Sequence, residues 1–297
     1  VGRFLTCCCR TLVILFLAAG ALSAAEVKVA WFNLENYIER DDGSGQIAKS
    51  PARIDAVVKT VTELRPDILA VAEIGDRTTL ADLRERLKAA GWEFPASEWV
   101  AGLDQARHLA LLSRYPIVER NSQDALYFTL DGVRHGMHRG ILDVTIELNP
   151  RYQLRVLGAH FKSRREESAY DQAAFRLAEA RVFRSYVEKI LRSAPDTNLL
   201  VAGDLNDTKN EPAIREIIGT PREPGVLRDI WVKDSRGETW THYWKVADVY
   251  SRIDYLLTSP GLSPEILWRK CGIVDAYYWS QASDHRAIYA VLSPENK

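Results

Sequence analysis

Apolar and polar residues alternate over 26–34 (EVKVAWFNL), the period of a strand that lays one face on a core. Farther along, Ile54, Val57, Val58 and Val61 recur at helical spacing within 52–64, and 66–73 (PDILAVAE) predicts a buried strand that closes on an acid. Residues 79–90 predict a second amphipathic helix stopped by Gly91, and 108–117 (HLALLSRYPI) a strand broken at Tyr115-Pro116. Between strands predicted at 139–148 and 152–161 only Asn149, Pro150 and Arg151 intervene, which makes a hairpin and not a crossover. A long helix over 170–193 precedes the strand in NLLVAGDLND (198–207), and a short helix follows over 211–218 with Pro212 in its first turn. Residues 220–245 read as loop, and 251–259 and 285–293 close the chain as strands. Crossover helices mixed with a hairpin exclude a purely parallel doubly wound sheet and predict an α/β (α+β) fold of two stacked mixed sheets flanked by helices. No Gly-, Ser- or Pro-rich linker divides 26–297, so one domain is expected there.

The first 25 residues stand outside this pattern. Arg3 and Arg10 give a basic start, 11–22 is apolar, and SAAE supplies small residues for a cut after Ser23 or Ala25. The run is shorter than the roughly 20 residues that span a bilayer comfortably. A secretory signal peptide over 1–25 is expected, hence an exported protein, periplasmic or extracellular, with no stable membrane partner; an uncleaved anchor is the alternative. Cys7, Cys8 and Cys9 leave with the leader, and Cys271 alone forms no internal disulfide. Apolar residues at 46% and charged residues at 27% exclude disordered and fibrous classes. The net charge of −1 becomes about −3 once Arg3 and Arg10 are removed, which is no basic field for a polyanion. Local arginines and a bound metal must then attract any such substrate. A monomer is expected.

Five strands end alike. Asn33 and Glu35, Glu73, His160, Asp204 with Asn206, and the pair Asp284-His285 each stand where an apolar run stops or is about to start. One carboxylate after a strand is ordinarily a helix cap or a turn residue. Five together predict convergence at one edge of a sheet, where repulsion is costly without a cation or proton. Asp, Glu and Asn without cysteine suit Mg²⁺, Mn²⁺ or Ca²⁺ and not structural zinc, and Mg²⁺ shares its sites with phosphate oxygens. Phosphoryl chemistry follows, with histidine suited to the proton transfers. Asp254, in RIDYLL, offers a carboxylate to orient His285 as in a triad.

These residues stand within WFNLEN, DILAVAE, LALLSRYPI, GAHFKSR, VAGDLND, RIDYLL and SDHRAI, spread over residues 31–288. In that order they resemble the endonuclease/exonuclease/phosphatase superfamily, deoxyribonuclease I-like, in a bacterial-type secreted form. The resemblance implies a four-layer α/β/β/α sandwich and a divalent-metal-dependent hydrolase of phosphate esters. Most directly it implies a nuclease acting on nucleic acid by in-line attack of an activated water. Two alternatives stand: a phosphomonoesterase or lipid-headgroup phosphodiesterase of inositol-phosphatase or sphingomyelinase type, and a non-catalytic binding protein of the same fold. By resemblance, Asn33 and Glu73 hold the metal, Mg²⁺ or else Mn²⁺ or Ca²⁺, with Asp284 a further ligand or an acid just behind the ligands. Asp204 and Asn206 position the water and a phosphate oxygen. His285, paired with Asp254, is the general base or the proton-bearing partner of the phosphate, and His160 is the second histidine. Arg139 reaches the phosphate; Lys162 and Arg164, which follow His160, stand outside the resemblance, either as grips on phosphate or as solvated cations leading into REES. Two departures stand out: Glu35 differs from the commonest opening, and Ala106 stands where a carboxylate supports the second histidine, with Asp104 the nearest substitute. Gly203 is expected to leave room beside the site and Asp207 to be a turn or cap residue. Trp231, Trp240, Tyr243 and Trp244 are expected to pack under the loop-rich segment, with stacking on bases or contact with a membrane surface as the alternatives.

Overall fold

The computed structural model describes residues 2, 26–38, 48–165, 168–221, 223 and 225–294. The signal peptide expected over 1–25 lies, but for residue 2, outside them. Among the described residues no helix is long and apolar enough to cross a membrane.

In chain order the strands are β1 (Val27–Tyr37), β2 (Ile68–Ile74), β3 (Ala96–Val100), β4 (His108–Ser113), β5 (Ile117–Arg120), β6 (Tyr127–Leu130), β7 (Val133–Gly136), β8 (Leu142–Asn149), β9 (Tyr152–His160), β10 (Leu199–Asp204), β11 (Arg228–Asp229), β12 (His242–Trp244), β13 (Val249–Ser251), β14 (Asp254–Thr258), β15 (Gly272–Ile273) and β16 (Ile288–Leu292). The helices are α1 (Pro51–Leu64), α2 (Arg77–Ala89), α3 (Gln172–Ser193), α4 (Pro212–Ile218) and the single turn α5 (Trp279–Ala282). They begin as the sequence directs: Pro51 and Pro212 occupy first turns, and Asp76 and Asp171 accept from Thr79 N and Ala174 N as caps.

Two six-stranded mixed sheets result, one in the order β15-β16-β1-β2-β4-β3 and the other β11-β14-β10-β9-β8-β5. Each has one parallel pair at its centre, β1 with β2 and β9 with β10, flanked by antiparallel neighbours. The hairpin expected from Asn149-Pro150-Arg151 joins β8 to β9. The break at Tyr115-Pro116 does more than interrupt a strand: β4 lies in the first sheet and β5 in the second, so Pro116 marks the chain's crossing between them. The loop-rich segment holds β11 and β12, the latter paired with β13 as a separate hairpin.

Period-two alternation sets the layers. Val27, Val29 and Trp31 of β1 and Leu200 and Ala202 of β10 point into a core between the sheets. Ala30 and Phe32 face Val57 and Val61 of α1 and Leu83 of α2, while Leu199 and Val201 face Phe183 and Val187 of α3 and Ile214 of α4. The four-layer sandwich is thus built from strands apolar on both faces.

Gly203 corrects one expectation. A Cβ there would lie 2.6 Å from the Ala159 carbonyl oxygen and 3.0 Å from Leu205 Cδ2, so the missing side chain lets β10 approach β9 and makes no room in the site. The backbone oxygen cannot yield without disturbing the parallel pair. Gly203→Ala is expected to cost about 2 kcal/mol in urea unfolding; an unchanged midpoint would contradict the close approach.

Candidate active site

Alternation continues past the last apolar residue of each strand. Asn33, two beyond Trp31, and Asp204, two beyond Ala202, keep the inter-sheet side, as do His160 on β9 and Asp254 at the start of β14. In register, Asp204 stands between His160 on one neighbour and Asp254 on the other. The sequence expectation of one sheet edge therefore needs correction. His160, Asp204 and Asp254 come from the second sheet, Asn33 and Glu73 from the first, and the residues meet where two facing sheets end.

Asn33 joins the halves. Its Nδ2 donates to Asp204 Oδ2 at 3.0 Å and lies 3.4 Å from Glu73 Oε1, and its Oδ1 accepts from Glu35 N at 2.9 Å. Glu73 Oε2 accepts from Asn36 N at 2.9 Å. The β1–β2 register shifts between Asn33 and Tyr37, and Glu35, Asn36 and Glu73 take φ of +48°, +56° and +59°. Left-handed backbone at non-glycine residues costs roughly 1 kcal/mol each, and here it turns the strand ends over the site.

His285 completes the row. Its Nδ1 bonds Asp254 Oδ2 at 2.8 Å, and Asp254 Oδ1 accepts from Trp31 Nε1 at 2.8 Å. The Nε2 atoms of His285 and His160 lie 3.6 Å and 3.5 Å from Asp204 Oδ2. Burial pushes the Asp204 carboxyl up to about 7; the His285 charge lowers it, Asp254 raises it further and the Asn33 amide lowers it. Burial alone would lower His285, but Asp254 and Asp204 hold it well above the usual histidine range, as an imidazolium. His160 is held well below that range by burial and by Arg139, His285 and Arg107, so it is neutral. Two histidines thus flank one carboxylate in opposite protonation states.

Other expected residues take different places. Asn206 was expected on a continuing extended chain beside Asp204, but β10 stops at Asp204 and Asn206 has φ +54°. Its Nδ2 donates to Phe161 O at 2.9 Å and its backbone N to Asp204 Oδ1 at 3.0 Å, so it braces the carboxylate. Arg139 lies in the turn before β8, and its Nη2 pairs with Asp104 Oδ2 at 3.1 Å. Arg139 Nε and Nη1 and His160 Nδ1 are buried with no hydrogen-bond partner. Asp104 therefore holds the arginine and does not support His160. Burial would raise the Asp104 carboxyl, but Arg139, two backbone N–H groups and Arg107 outweigh it and lower it.

Lys162 is buried, and its backbone N–H donates to Glu179 Oε2 at 2.7 Å. Arg164 pairs with Asp207 at 3.0 Å and Glu211 at 3.5 Å. Asp207 stands in a bend, as expected, and takes Arg176 as well at 3.0 Å, outside the site.

The Asp284 side chain is 41% exposed and groups with His285 and with a residue the sequence did not single out, His242. His242 Nε2 lies 3.7 Å from Asp284 Oδ2, and its ring is tilted by 42° against that of His285 with centroids 4.6 Å apart. Beside it, Thr241 Oγ1 accepts from the backbone N of Ile253 and Asp254, each at 3.1 Å. Two cations were also missed. Arg107 Nε donates to Asn36 Oδ1 at 2.8 Å and lies 3.9 Å from Glu73 Oε2. Lys49, buried just before α1, donates to Ala282 O at 2.7 Å; burial lowers it to about 8, against the pull of Glu35.

The aromatic expectation divides. Trp240 packs on Trp279 and Tyr250 with centroids 5.1 and 4.8 Å away, and Trp231 lies under Lys209 and Arg252. Trp244 and Tyr250 of the β12–β13 hairpin stay more than half exposed, on the same hairpin that carries His242. A cavity of about 420 Å³ lined by Asp67, Trp92, Arg114 and Tyr115 lies at the opposite ends of β2 and β4. Arg114 there is already paired with Asp67 at 2.9 Å, so the chemistry belongs to the other end.

Glu73 and Asp204 are two carboxylates drawn together on the Asn33 amide, with Asp204 destabilised by burial, and carboxylate oxygens of this kind fit a hard divalent cation. The fold has close relatives in shape. An endonuclease/exonuclease/phosphatase from Bacteroides vulgatus superposes with a TM-score of 0.67 at 19% identity, covering 91% of this chain and all of that one. Sphingomyelinase C from Streptomyces griseocarneus gives 0.65 at 15% identity, covering 90% and 99%. The human Nocturnin catalytic domain gives 0.63 at 15% identity, covering 90% and 94%. No curated protein matches at the level of sequence. Residues 30–285, however, match the pattern that defines one family. The chain belongs to the Endonuclease/Exonuclease/phosphatase family.

Proposed function

We propose that this protein is an exported, divalent-metal-dependent phosphodiesterase that cleaves nucleic acid. One observation carries the reading: a buried carboxylate, Asp204, lies 3.5 and 3.6 Å from the Nε2 atoms of His160 and His285 and is tied through Asn33 to Glu73 on the facing sheet. Glu73 and Asn33 would hold the ion, with Asp284 at the exposed margin. Such an ion supplies charge neutralisation to the phosphate oxygens. Asp204, braced by Asn206, orients the attacking water and accepts its proton. The electrostatics favour His285 as the proton-bearing partner of the phosphate and not as the base. His160 Nε2 donates a hydrogen bond to a second phosphate oxygen, and Arg139, whose Nε and Nη1 are buried without a hydrogen-bond partner, supplies positive charge to the same anion. The new oxygen–phosphorus bond forms as the ester bond in line with it breaks. Trp244, more than half exposed on the hairpin that carries His242, supplies a ring on which a base stacks, which favours a nucleic acid over a small ester. The basic and apolar leader over 1–25 supports export.

A substrate panel tests this. With Mg²⁺, the protein is expected to cut DNA or RNA and to favour bis-p-nitrophenyl phosphate over the mono-ester by at least about 10-fold, with activity abolished by EDTA. Hydrolysis of sphingomyelin with nucleic acids left intact would reject the substrate class. A folded, metal-replete protein inert on the whole panel would reject the enzyme.

A further inference from the structure

We infer that the chain carries a second cation site on the rim of the catalytic row, formed by His242, Asp284 and His285, which takes a borderline transition ion such as Zn²⁺ and thereby switches the hydrolase off. The site shares Asp284 with the margin of the catalytic ion's carboxylates but adds two imidazoles, a different chemistry from Glu73 and Asp204. Two imidazoles and one carboxylate suit Zn²⁺ or its neighbours, whereas Mg²⁺ and Ca²⁺ take oxygen donors.

Geometry supports the assignment. One ligand atom from each of the three residues lies within 4.8 Å of the others. His242 Nε2 is 3.7 Å from Asp284 Oδ2, and His285 Nε2 is 3.9 Å from Asp284 Oδ1. In a tetrahedral site with bonds of about 2.0–2.1 Å, neighbouring donors stand roughly 3.4 Å apart, so donors now within 4.8 Å of one another close on the ion by about an ångström or less, through rotation of the half-exposed Asp284 carboxylate and the His242 ring. Backbone hydrogen bonds fix the arrangement: Tyr243 N donates to Asp284 O at 3.0 Å, Arg286 N donates to Thr241 O, and His242 bridges His285 in antiparallel register. The His285 ring is also oriented as a ligand would be. Its Nδ1 is held by Asp254, the carboxylate partner that metal-binding histidines ordinarily have, which leaves Nε2 to face the ion. The partial exposure of Asp284 gives the ion a path in and leaves a fourth position for water.

The consequence follows from the shared residue. Coordination occupies Nε2 of His285, the atom that faces Asp204, so His285 no longer reaches the phosphate. Binding rests only on the three side chains; inhibition rests also on the function proposed above.

The experiment titrates Zn²⁺ alone into the full-length protein in excess Mg²⁺, reading binding by competition with a chromogenic chelator and hydrolysis in parallel. One Zn²⁺ per chain is expected. His242→Ala should weaken binding by roughly 30-fold or more and raise the half-inhibitory zinc concentration, relative to that variant's own uninhibited rate, by the same factor. Asp284→Asn serves as the second variant, and a metal-free thermal melt of each shows that it is folded. Absence of zinc binding in Mg²⁺, or equal binding by folded His242→Ala and Asp284→Asn, would overturn the site. Binding without inhibition would overturn the switch. A protein that binds zinc through His242 but hydrolyses nothing would uphold the site and reject the hydrolase reading.

Discussion

Asp204→Asn is expected to lower phosphodiester turnover by about 10³-fold or more while leaving the metal-free protein folded and no less stable at pH 8. The carboxylate sits where both histidines and the Asn33 amide meet it, with His160 and His285 Nε2 at 3.5 and 3.6 Å and Asn33 Nδ2 at 3.0 Å. An amide keeps the shape and can still accept from Asn33, but it cannot take the proton of an attacking water.

The stability half of the expectation follows from linkage. Burial places the folded-state carboxyl near 7, above its ordinary 3.8. An acid raised on folding favours the native state only while protonated, so its ionisation removes stability progressively between about pH 4 and pH 7. The substitution should therefore flatten that part of the stability profile. Turnover across substrates, with thermal midpoints at pH 5 and pH 8, checks both halves together. Near-normal turnover would remove Asp204 from the chemistry, and a collapse in the midpoint at both pH values would assign it to structure instead.

Much of the site was legible because one rule governs both core and chemistry. The alternation that buries Val29, Trp31, Leu200 and Ala202 between the sheets also aims Asn33 and Asp204 into the crevice, so strand periodicity located polar residues that no local rule explains. Pairing across the sandwich was not legible. Asn33 meets Asp204 across 171 residues, and nothing local to either says which sheet a strand joins. The turn at Asn206 was missed because asparagine tolerates both extended and left-handed backbone at little cost, and only the finished site decides. His242 lay in a loop-rich stretch without periodicity, and a backbone bridge to His285 places it. Its one signal was rarity, since the chain has six histidines. Lys49 read as an ordinary cation before a helix, whereas the packing of the α1 entry against α5 buries it.

Asp254→Asn is expected to cut kcat/KM by about 10³-fold near neutral pH and to move the alkaline limb of the profile to lower pH. Asp254 is fully buried, with one oxygen held by Trp31 Nε1 and the other by His285 Nδ1, each at 2.8 Å. Burial opposes a charged imidazole, and the neighbouring carboxylates, Asp254 foremost, overcome it and raise the His285 value well above 6.5. A histidine raised on folding contributes stability that is full below its unfolded value and is lost as pH rises through its folded value. Removing the Asp254 charge should then destabilise the protein by about 3 kcal/mol at pH 6 and by less above the folded value, where the wild-type imidazole is neutral too. The asparagine amide can also donate to Nδ1, which forces the proton onto Nε2 and fixes the other tautomer. Its carbonyl cannot then serve Nδ1–H as the carboxylate did. Measuring kcat/KM from pH 5 to 10, alongside the NMR titration of the His285 Cε1 proton, separates the two roles. Reduced activity with an unmoved His285 titration and an unmoved pH limb would mean that Asp254 only packs against Trp31. A downward shift of both together would show that Asp254 keeps the imidazole charged for the phosphate.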